Sequence, residues 1–258
     1  MELTLNSETY GSGPPLLILH GLFGSGRNWH GVATRLADRF RVHAPDLRNH
    51  GRSSHAPDMS YEAMVADVSG FVDDLGAAPV TLLGHSMGGK IAMLLALRSP
   101  ALVERLVVVD IAPVGYPDRF EHLLDAMQRL PLDGIRSRAD ADQWLQTYVP
   151  EKTLRLFLLQ NLARADGAFH WRLNLQAIRT ALPSLMRMPA PSAGVSYGGP
   201  TAFLRGETSP AVLPEHRSII QELFPNAEIE TIANAGHLPH AQQPEAFMAA
   251  LLRFLEVK

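Results

Sequence analysis

Short apolar runs with the length of β-strands recur along the chain, each closed by Gly, Pro, Asn or Asp. They occupy residues 16–19, 40–44, 80–83, 106–109, 202–204 and 228–232. Most of these runs are uninterrupted rather than alternating, so we expect both faces of each strand to be buried. Helical patterns lie between them, among them residues 61–75, 90–98, 216–224 and 244–255. This alternation predicts an α/β fold, in which helices cover both faces of a mostly parallel sheet.

The stretch from about residue 113 to residue 200 departs from this alternation. It shows helical periods and almost no strand pattern, as in the apolar spacing of residues 120–130 and 154–162. Prolines at positions 113, 117, 189, 191 and 200 punctuate its ends. We therefore predict a core formed by residues 1–112 and 198–258, and a helical cap formed by residues 113–197.

The strand pattern at residues 80–83 runs directly into Gly-His-Ser-Met-Gly-Gly at residues 84–89, and a helical pattern follows. A strand, a tight turn with G-x-S-x-G and a helix are the context of a nucleophile elbow. Glycines two residues on either side of Ser86 would let strand and helix cross closely while the hydroxyl is exposed above the sheet. Ser86 is therefore the predicted nucleophile.

A serine hydroxyl needs a base to take its proton, and the position of each histidine decides which one is suitable. His237 follows the last predicted strand in a loop at the carboxyl end of the sheet, where the elbow is also expected. We predict that His237 is the base. His237 and His240 could also form a metal pair, but no third ligand is nearby at a suitable spacing, so we expect no metal site.

The tetrahedral intermediate of acyl transfer needs donors aimed at its oxyanion, and backbone amides usually supply them. The strand pattern at residues 16–19 leads into the flexible turn His-Gly-Leu-Phe-Gly at residues 20–24. We predict the amides of Met87 and Leu22 as the two donors, with Phe23 as the alternative to Leu22. His20 is expected to hydrogen-bond loop backbone rather than substrate.

Five segments together resemble a known family of enzymes. They are residues 20–25, 46–53, 84–90, 109–113 and 236–237, and the similarity spans nearly the whole chain. The chain resembles the YbfF-type and ABHD11-like esterases of the α/β-hydrolase superfamily. The resemblance implies the α/β-hydrolase fold, Ser86 and His237 as nucleophile and base, and short-chain esters or acyl-CoA thioesters as substrates. It also implies a mainly structural role for Asp46, Arg48 and Gly51.

The acid of the predicted triad departs from the broader superfamily, in which it often aligns with Ser209. In the YbfF-like branch the acid lies at the end of the preceding strand, which here is Asp110. Asp110 directly follows the strand pattern at residues 106–109, so it should emerge at the sheet edge that presents Ser86 and His237. Glu207 is the runner-up, but it lies two residues before the matching position.

Composition and charge exclude several classes of function. With 46% apolar and 19% charged residues, the 258-residue chain has the composition of an ordinary globular protein. Its net charge of -3, with scattered Lys and Arg, predicts no nucleic-acid partner. Residues 1–5 lack a basic region before an apolar stretch and no apolar run approaches bilayer length, so we expect a cytoplasmic protein without stable membrane insertion. Without cysteine, disulfides and thiolate catalysis are excluded.

These observations predict a serine esterase or thioesterase that needs no cofactor and acts on a small-molecule ester or thioester. Candidate pocket residues in the cap are Phe120, Leu123, Trp144, Phe157, Leu158 and Trp171. Four cations could meet a CoA phosphate, although we expect each of them to be a solvated surface charge: Arg119, Lys152, Arg155 and Arg172. Two alternatives are a C–C bond hydrolase or lyase on the same scaffold, and a ligand receptor that retains the triad. The pattern predicts no oligomeric state.

Overall fold

The computed structural model describes residues 3–192 and 194–256. Its strands are β1 (Ser7–Tyr10), β2 (Pro15–Leu19), β3 (Arg41–Pro45), β4 (Val80–His85), β5 (Val103–Val109), β6 (Leu162–Ala165), β7 (Ala168–Trp171), β8 (Thr201–Gly206) and β9 (Ala227–Ile232). Seven of these strands form one sheet in the order β1-β3-β2-β4-β5-β8-β9. Every neighbouring pair in this sheet is parallel except β1 and β3.

Helices alternate with the strands of this sheet. They are α1 (His30–Leu36), α2 (Tyr61–Leu75), α3 (Met87–Arg98), α4 (Glu121–Arg129), α5 (Arg138–Leu145), α6 (Lys152–Leu159), α7 (Leu175–Leu185), α8 (Arg217–Leu223), α9 (Pro239–Gln242) and α10 (Pro244–Glu256). Short 3-10 helices lie at Gly26–Trp29, Pro100–Leu102, Leu132–Gly134 and Pro214–His216. None of the described helices combines the length and the apolar character needed to cross a membrane.

The core consists of two apolar layers, one on each face of the sheet. Leu17 and Leu19 of β2 contact the layer that contains α2 and α3. Leu16 and Ile18 of the same strand contact the layer that contains α1 and α10. Successive side chains of a strand point to opposite faces, so an uninterrupted apolar strand fills both layers. Each leucine buried in this way contributes about 1.5–3 kcal/mol to folding.

The register of the parallel strands aligns their carboxyl ends. His85 pairs with Val109, Val109 pairs with Leu204, and Gly206 pairs with Ile232. The residues that follow β4, β5, β8 and β9 therefore meet at one edge of the sheet. This is the edge at which open α/β sheets bind ligands.

The structure contains two features that the apolar pattern did not predict. Strand β1 is short and polar, and it adds to the edge of the sheet in the antiparallel direction. Strands β6 and β7 form a separate antiparallel hairpin within residues 113–197, where almost no strand was expected. The same segment also carries α4, α5, α6 and α7, so it connects β5 to β8 through helices and one hairpin.

Candidate active site

Ser86 lies between the end of β4 and the start of α3 in a strained backbone conformation. Its φ is 52° and its ψ is -117°, a region that costs a residue other than glycine of order 1–3 kcal/mol. The surrounding glycines explain why helix α3 can begin so close to the strand. A Cβ atom on Gly84 would lie 2.3 Å from the Gly88 carbonyl oxygen, and one on Gly88 would lie 2.4 Å from that of Leu19. Only glycine fits at either position, so the hydroxyl of Ser86 is presented at a fixed point above the sheet.

His237 connects Ser86 to Asp110. Its Nε2 atom lies 3.1 Å from the Ser86 Oγ, and its Nδ1 atom lies 2.7 Å from the Asp110 Oδ2. A carboxylate can only accept, so Nδ1 carries the proton and Nε2 presents its lone pair to the serine hydroxyl. In this arrangement, the imidazole can remove the proton of Ser86 and the carboxylate can stabilise the imidazolium that forms.

Asp110 is fully buried, and its carboxylate is held by three donors. The Gly206 amide donates to Oδ1 at 2.8 Å, while the Ser209 hydroxyl and the His237 Nδ1–H donate to Oδ2. Like Ser86, Asp110 has a positive φ, 50°, which turns its side chain toward the loops after β8 and β9. Ser209, at the position where the resemblance implies an acid in the broader superfamily, therefore contacts the carboxylate of Asp110.

Glu207 lies in the usual acid loop but has a different contact. Its Oε2 atom accepts a hydrogen bond from the Asn234 amide at 2.8 Å, and its own amide donates to the Ile232 carbonyl at 3.0 Å. These bonds fasten the loop after β8 to the loop after β9. Among the described residues, Asp110 is the carboxylate that contacts the His237 ring.

The three candidate oxyanion donors differ in their hydrogen bonding. The Phe23 amide donates to the His50 Nε2 at 3.2 Å. Burial lowers the pKa of His50 to about 3, which keeps its ring neutral and able to accept. Within residues 3–192 and 194–256, the amides of Leu22 and Met87 donate to no acceptor. These two amides are therefore available to a ligand, whereas that of Phe23 is already used.

The loop that carries Leu22 is fixed by His20, which has the structural role expected of it. The Leu47 amide donates to the His20 Nε2 at 2.9 Å, and the His20 Nδ1–H donates to the Gly21 carbonyl at 2.8 Å. Burial lowers the pKa of His20 to about 4, so this acceptor is retained at neutral pH. Asp46 likewise accepts from the Gly26 and Arg52 amides, both at 2.8 Å.

The sequence reasoning missed His85, which precedes the candidate nucleophile. Its Nε2–H donates to the backbone carbonyl of His237 at 2.7 Å. Burial holds the pKa of His85 well below its usual value, and the nearby rings of His237 and His240 lower it further. A neutral donor therefore fixes the main chain of His237. The sequence signal that could have identified His85 was its place as the second residue of the Gly-His-Ser motif, because the side chain at that place points beneath the loop after β9.

His240 belongs to an aromatic cluster. Its ring stacks on Trp29 with a centroid separation of 4.0 Å, and burial lowers its pKa to about 4. In the described part of the chain, no group of three or more His, Asp or Glu side chains is arranged to hold a metal ion. His240 therefore packs as a neutral ring beside the site.

Two cavities meet at Ser86. The smaller has a volume of about 310 Å³ and the larger about 400 Å³. We call them the outer lobe and the inner lobe. The residues that line both lobes are Leu22, Ser86, Phe120, Glu151, Leu154 and His237. The outer lobe extends past Trp29, Phe157 and Leu238, and the inner lobe extends past Met87 and Ile111.

The predicted pocket residues divide into two groups. Phe120, Leu123 and Phe157 line the outer lobe, and Phe120 also lines the inner lobe. As the described residues define the lobes, Leu158, Trp144 and Trp171 line neither of them. The reason is packing within residues 113–197: Leu158 is fully buried, the Trp144 ring packs on that of Tyr148 at 4.7 Å, and the Trp171 Nε1–H donates to the Met127 carbonyl at 3.0 Å. Glu151 and Leu154 line both lobes but were not among the pocket residues that the sequence predicted. Both lie shortly before the predicted Phe157.

The four candidate cations also differ in where they lie and what they contact. Arg155 is buried and forms an ion pair with Asp142 at 2.7 Å, so it has a structural partner. Arg119 is exposed and lines the inner lobe. Lys152 lines neither lobe as the described residues define them. Arg172 lines a third cavity.

Comparison with known proteins assigns the family. Residues 14–244 match the model of the alpha/beta hydrolase fold family. The chain belongs to the α/β-hydrolase family. The chain of this α/β hydrolase is 45% identical to the mouse (Mus musculus) sn-1-specific diacylglycerol lipase ABHD11 over 250 residues, which are 94% of this chain and 81% of the relative. It is 31% identical to esterase YbfF of Escherichia coli, with 99% of both chains covered.

A solved esterase from a marine microorganism has the same fold with a TM-score of 0.94. It is 38% identical in sequence, and the match covers 98% of this chain and 100% of the esterase. The resemblance to YbfF-type and ABHD11-like enzymes is thereby confirmed, and with it the α/β-hydrolase fold. The chain is accordingly a hydrolase of the esterase and lipase type.

Proposed function

We propose that this α/β hydrolase cleaves small carboxylic esters or acyl thioesters, acyl-CoA among them, through an acyl intermediate on Ser86. The observation that carries the proposal is the hydrogen-bonded series from the Ser86 Oγ to the His237 Nε2 and from the His237 Nδ1 to Asp110, at 3.1 and 2.7 Å. This geometry has the features of an activated nucleophile: a base within reach and a third group that orients the base.

In the first half-reaction, the Ser86 Oγ attacks the substrate carbonyl while the His237 Nε2 takes the hydroxyl proton. The oxyanion of the tetrahedral intermediate accepts hydrogen bonds from the amides of Leu22 and Met87. The intermediate then collapses, and the bond from carbon to the leaving oxygen or sulfur breaks. His237 gives its proton to that atom, so a neutral alcohol or thiol leaves and the acyl group remains on Ser86.

In the second half-reaction, water attacks the acyl-serine. His237 takes a proton from the water and returns one to the Ser86 Oγ as the carboxylic acid departs. Asp110 stays ionised throughout and stabilises the imidazolium of each half-reaction. Its three hydrogen-bond donors support that role, because they stabilise a charge that burial alone would disfavour.

We propose further that residues 113–197 act as a cap, with residues 1–112 and 198–258 as the catalytic core. Phe120 and Leu154 of this segment line both lobes beside Ser86, and Phe157 lines the outer lobe. An apolar cover of this kind favours small or extended acyl groups and excludes water from the reacting atoms.

Labelling with a fluorophosphonate probe, together with turnover of aryl esters and acyl-CoAs, tests the proposal. We expect the probe to modify Ser86, and Ser86→Ala to keep its fold while losing turnover by about 10³-fold or more. Ser218→Ala, which changes an exposed serine of α8, is the matched control and should be labelled normally. Undiminished turnover by Ser86→Ala, in a preparation free of host esterases, would overturn the proposal.

A further inference from the structure

A third cavity, of about 710 Å³, adjoins the outer lobe. We call it the arginine groove. It shares the side chains of Asn28, Thr153, Phe157, Leu238 and His240 with the outer lobe. These shared walls make the groove and the catalytic cavity neighbours, and its volume is within the range of small-molecule sites, roughly 300–1,000 Å³.

The charges that line the arginine groove are unbalanced. Its four arginines are Arg27, Arg52, Arg138 and Arg172, and its two carboxylates are Glu8 and Asp46. The groove therefore carries a formal excess of two positive charges, although the whole chain has a net charge of -3. A concave wall of one sign attracts the opposite charge.

The carboxylates of the groove are already engaged. Asp46 is buried and accepts from the Gly26 and Arg52 amides, and Glu8 accepts from the Tyr10 hydroxyl. The arginines are less engaged: Arg138 donates to the Leu162 carbonyl at 2.7 Å.

The guanidinium groups of Arg27, Arg52 and Arg172 form no hydrogen bond or ion pair within residues 3–192 and 194–256. By contrast, Arg48 and Arg155, which have structural contacts, pair with Asp67 and Asp142 at 2.5 and 2.7 Å. The three groove arginines therefore have donors available for a ligand.

The residues that follow His237 connect the catalytic cavity to this groove. In the proposed mechanism His237 protonates the leaving atom, and Leu238 and His240, one and three residues later, line both the outer lobe and the groove. The inner lobe is lined mostly by apolar side chains such as those of Met87 and Ile111, which suit an acyl chain, and its charged lining residues are Lys90, Arg119 and Glu151. With the acyl group in the inner lobe, the leaving group extends through the outer lobe to the arginines.

We propose that the arginine groove binds the phosphate of a phosphorylated leaving group, a proposal that rests on the function proposed above. Guanidinium groups match phosphate oxygens with paired, charge-assisted hydrogen bonds. The phosphate belongs either to a CoA-type thiol or to a glycerophosphate-type alcohol. In both cases the bond between the carbonyl carbon and the leaving sulfur or oxygen breaks, and the leaving group departs with the proton from His237.

The first test compares two thioesters with the same acyl group. Butyryl-CoA carries phosphates on its leaving group, whereas the butyryl thioester of N-acetylcysteamine carries none. We expect the ratio of their kcat/KM values to fall by about tenfold or more in the triple variant Arg27→Gln, Arg52→Gln, Arg172→Gln, mainly through KM for the CoA ester. The triple variant Arg41→Gln, Arg129→Gln, Arg217→Gln removes the same charge from exposed positions outside the groove and should keep the ratio.

The second test distinguishes the two phosphate sources by inhibition. CoA and sn-glycerol 3-phosphate are each tested as competitive inhibitors of aryl ester turnover. Inhibition by one of them that the groove triple variant weakens supports the proposal and identifies the source. An unchanged thioester ratio together with inhibition that the groove triple variant does not weaken, or no inhibition by either compound at millimolar concentration, overturns it. Those outcomes leave the acyl-serine mechanism standing, which fails only if Ser86→Ala retains turnover of both thioesters.

Discussion

The loops at the sheet edge and the inserted segment of residues 113–197 contribute to the site in different ways. At the sheet edge, Ser86 and Asp110 follow neighbouring strands in backbone conformations with positive φ, and hydrogen bonds fix the residues around them. In the inserted segment, Phe120, Leu154 and Phe157 face the cavity with apolar side chains from the ends of helices or within them. On the proposed function, the backbone of residues 1–112 and 198–258 positions the reacting groups, while side chains of the inserted segment shape the substrate cavity.

The largest effect on kcat should come from Asp110, the carboxylate at the sheet edge. Asp110→Asn keeps the size of the side chain but removes the charge that stabilises the His237 imidazolium, so kcat should fall by up to about 10⁴-fold. Glu207→Gln is the matched control, because its carboxylate contacts the Asn234 amide instead. Both are measured on an aryl ester, with circular dichroism to verify folding. The reverse ranking of two folded variants would show that the acid assignment is wrong, while Ser86 and His237 could stand.

A smaller effect is expected at His85, which acts on the reaction only through the main chain of His237. His85→Phe removes the donor to the His237 carbonyl, so the imidazole should be displaced and kcat should fall by up to about 10²-fold with little change in KM. His85→Gln retains an N–H donor and should recover part of that loss. If the two variants lost kcat equally, or if only their thermal stability changed, His85 would be a packing residue and not a positioning one.

The two regions also differed in how well the sequence predicted them. The strand ends that carry Ser86 and Asp110 were predictable, because uninterrupted apolar runs mark buried strands and the glycines around Ser86 permit only a tight turn. The hairpin of β6 and β7 was not predicted, since each of its strands has only four residues and lies within a segment dominated by helical periodicity. Its turn did leave a signal: Asp166 and Gly167 both have positive φ, the conformation for which an Asp-Gly pair in a two-residue hairpin turn is favoured.

Within the inserted segment, helical periodicity identified apolar faces but not what they contact. Leu154 and Leu158 lie four residues apart on α6, on the same face of that helix. Leu154 reaches the cavity, whereas Leu158 is fully buried among other apolar side chains. Periodicity cannot separate these outcomes, because both positions require the same kind of side chain. The register of a helix against its neighbours decides between them, and that register depends on tertiary packing.

Substitutions of Leu154 and Leu158 test this difference between a cavity residue and an interior residue. Leu154→Ala enlarges the cavity, so kcat/KM should rise severalfold for longer or bulkier acyl groups relative to acetyl esters. Leu158→Ala leaves a void in the segment's interior and should lower stability by about 2–5 kcal/mol without changing this preference. The measurements are kcat/KM against acyl length and thermal unfolding. A flat profile that extends to triglycerides in the unmodified protein would contradict an enclosing cap.

The smallest effect concerns Lys90, which joins the two regions. Its Nζ extends from α3 and donates to the carbonyls of Met186 and Arg187, at 3.2 and 2.8 Å, just after the end of α7. A cation at a helix carboxyl terminus is favourable, but burial lowers the pKa of Lys90 to about 8. The rings of Tyr61 and Tyr116 lie 5.8 and 5.1 Å from Nζ, and burial raises the pKa of both phenols, so neither titrates near pH 8.

This depressed pKa fixes the sign of a pH effect. In the unfolded chain a lysine has a pKa of about 10.4, so between pH 8 and that value the unfolded state holds a proton that the folded state has released. The contribution of Lys90 to stability should therefore rise as pH increases from 7 to 10. Thermal unfolding of the unmodified protein and of Lys90→Met measures this contribution as the difference between their Tm values. The Tm of the unmodified protein should rise relative to that of Lys90→Met as pH increases. Lys152→Met, at an exposed position, should show no such trend. A Tm difference for Lys90→Met that stays flat or falls with pH would contradict the titration of a buried ammonium at the end of α7.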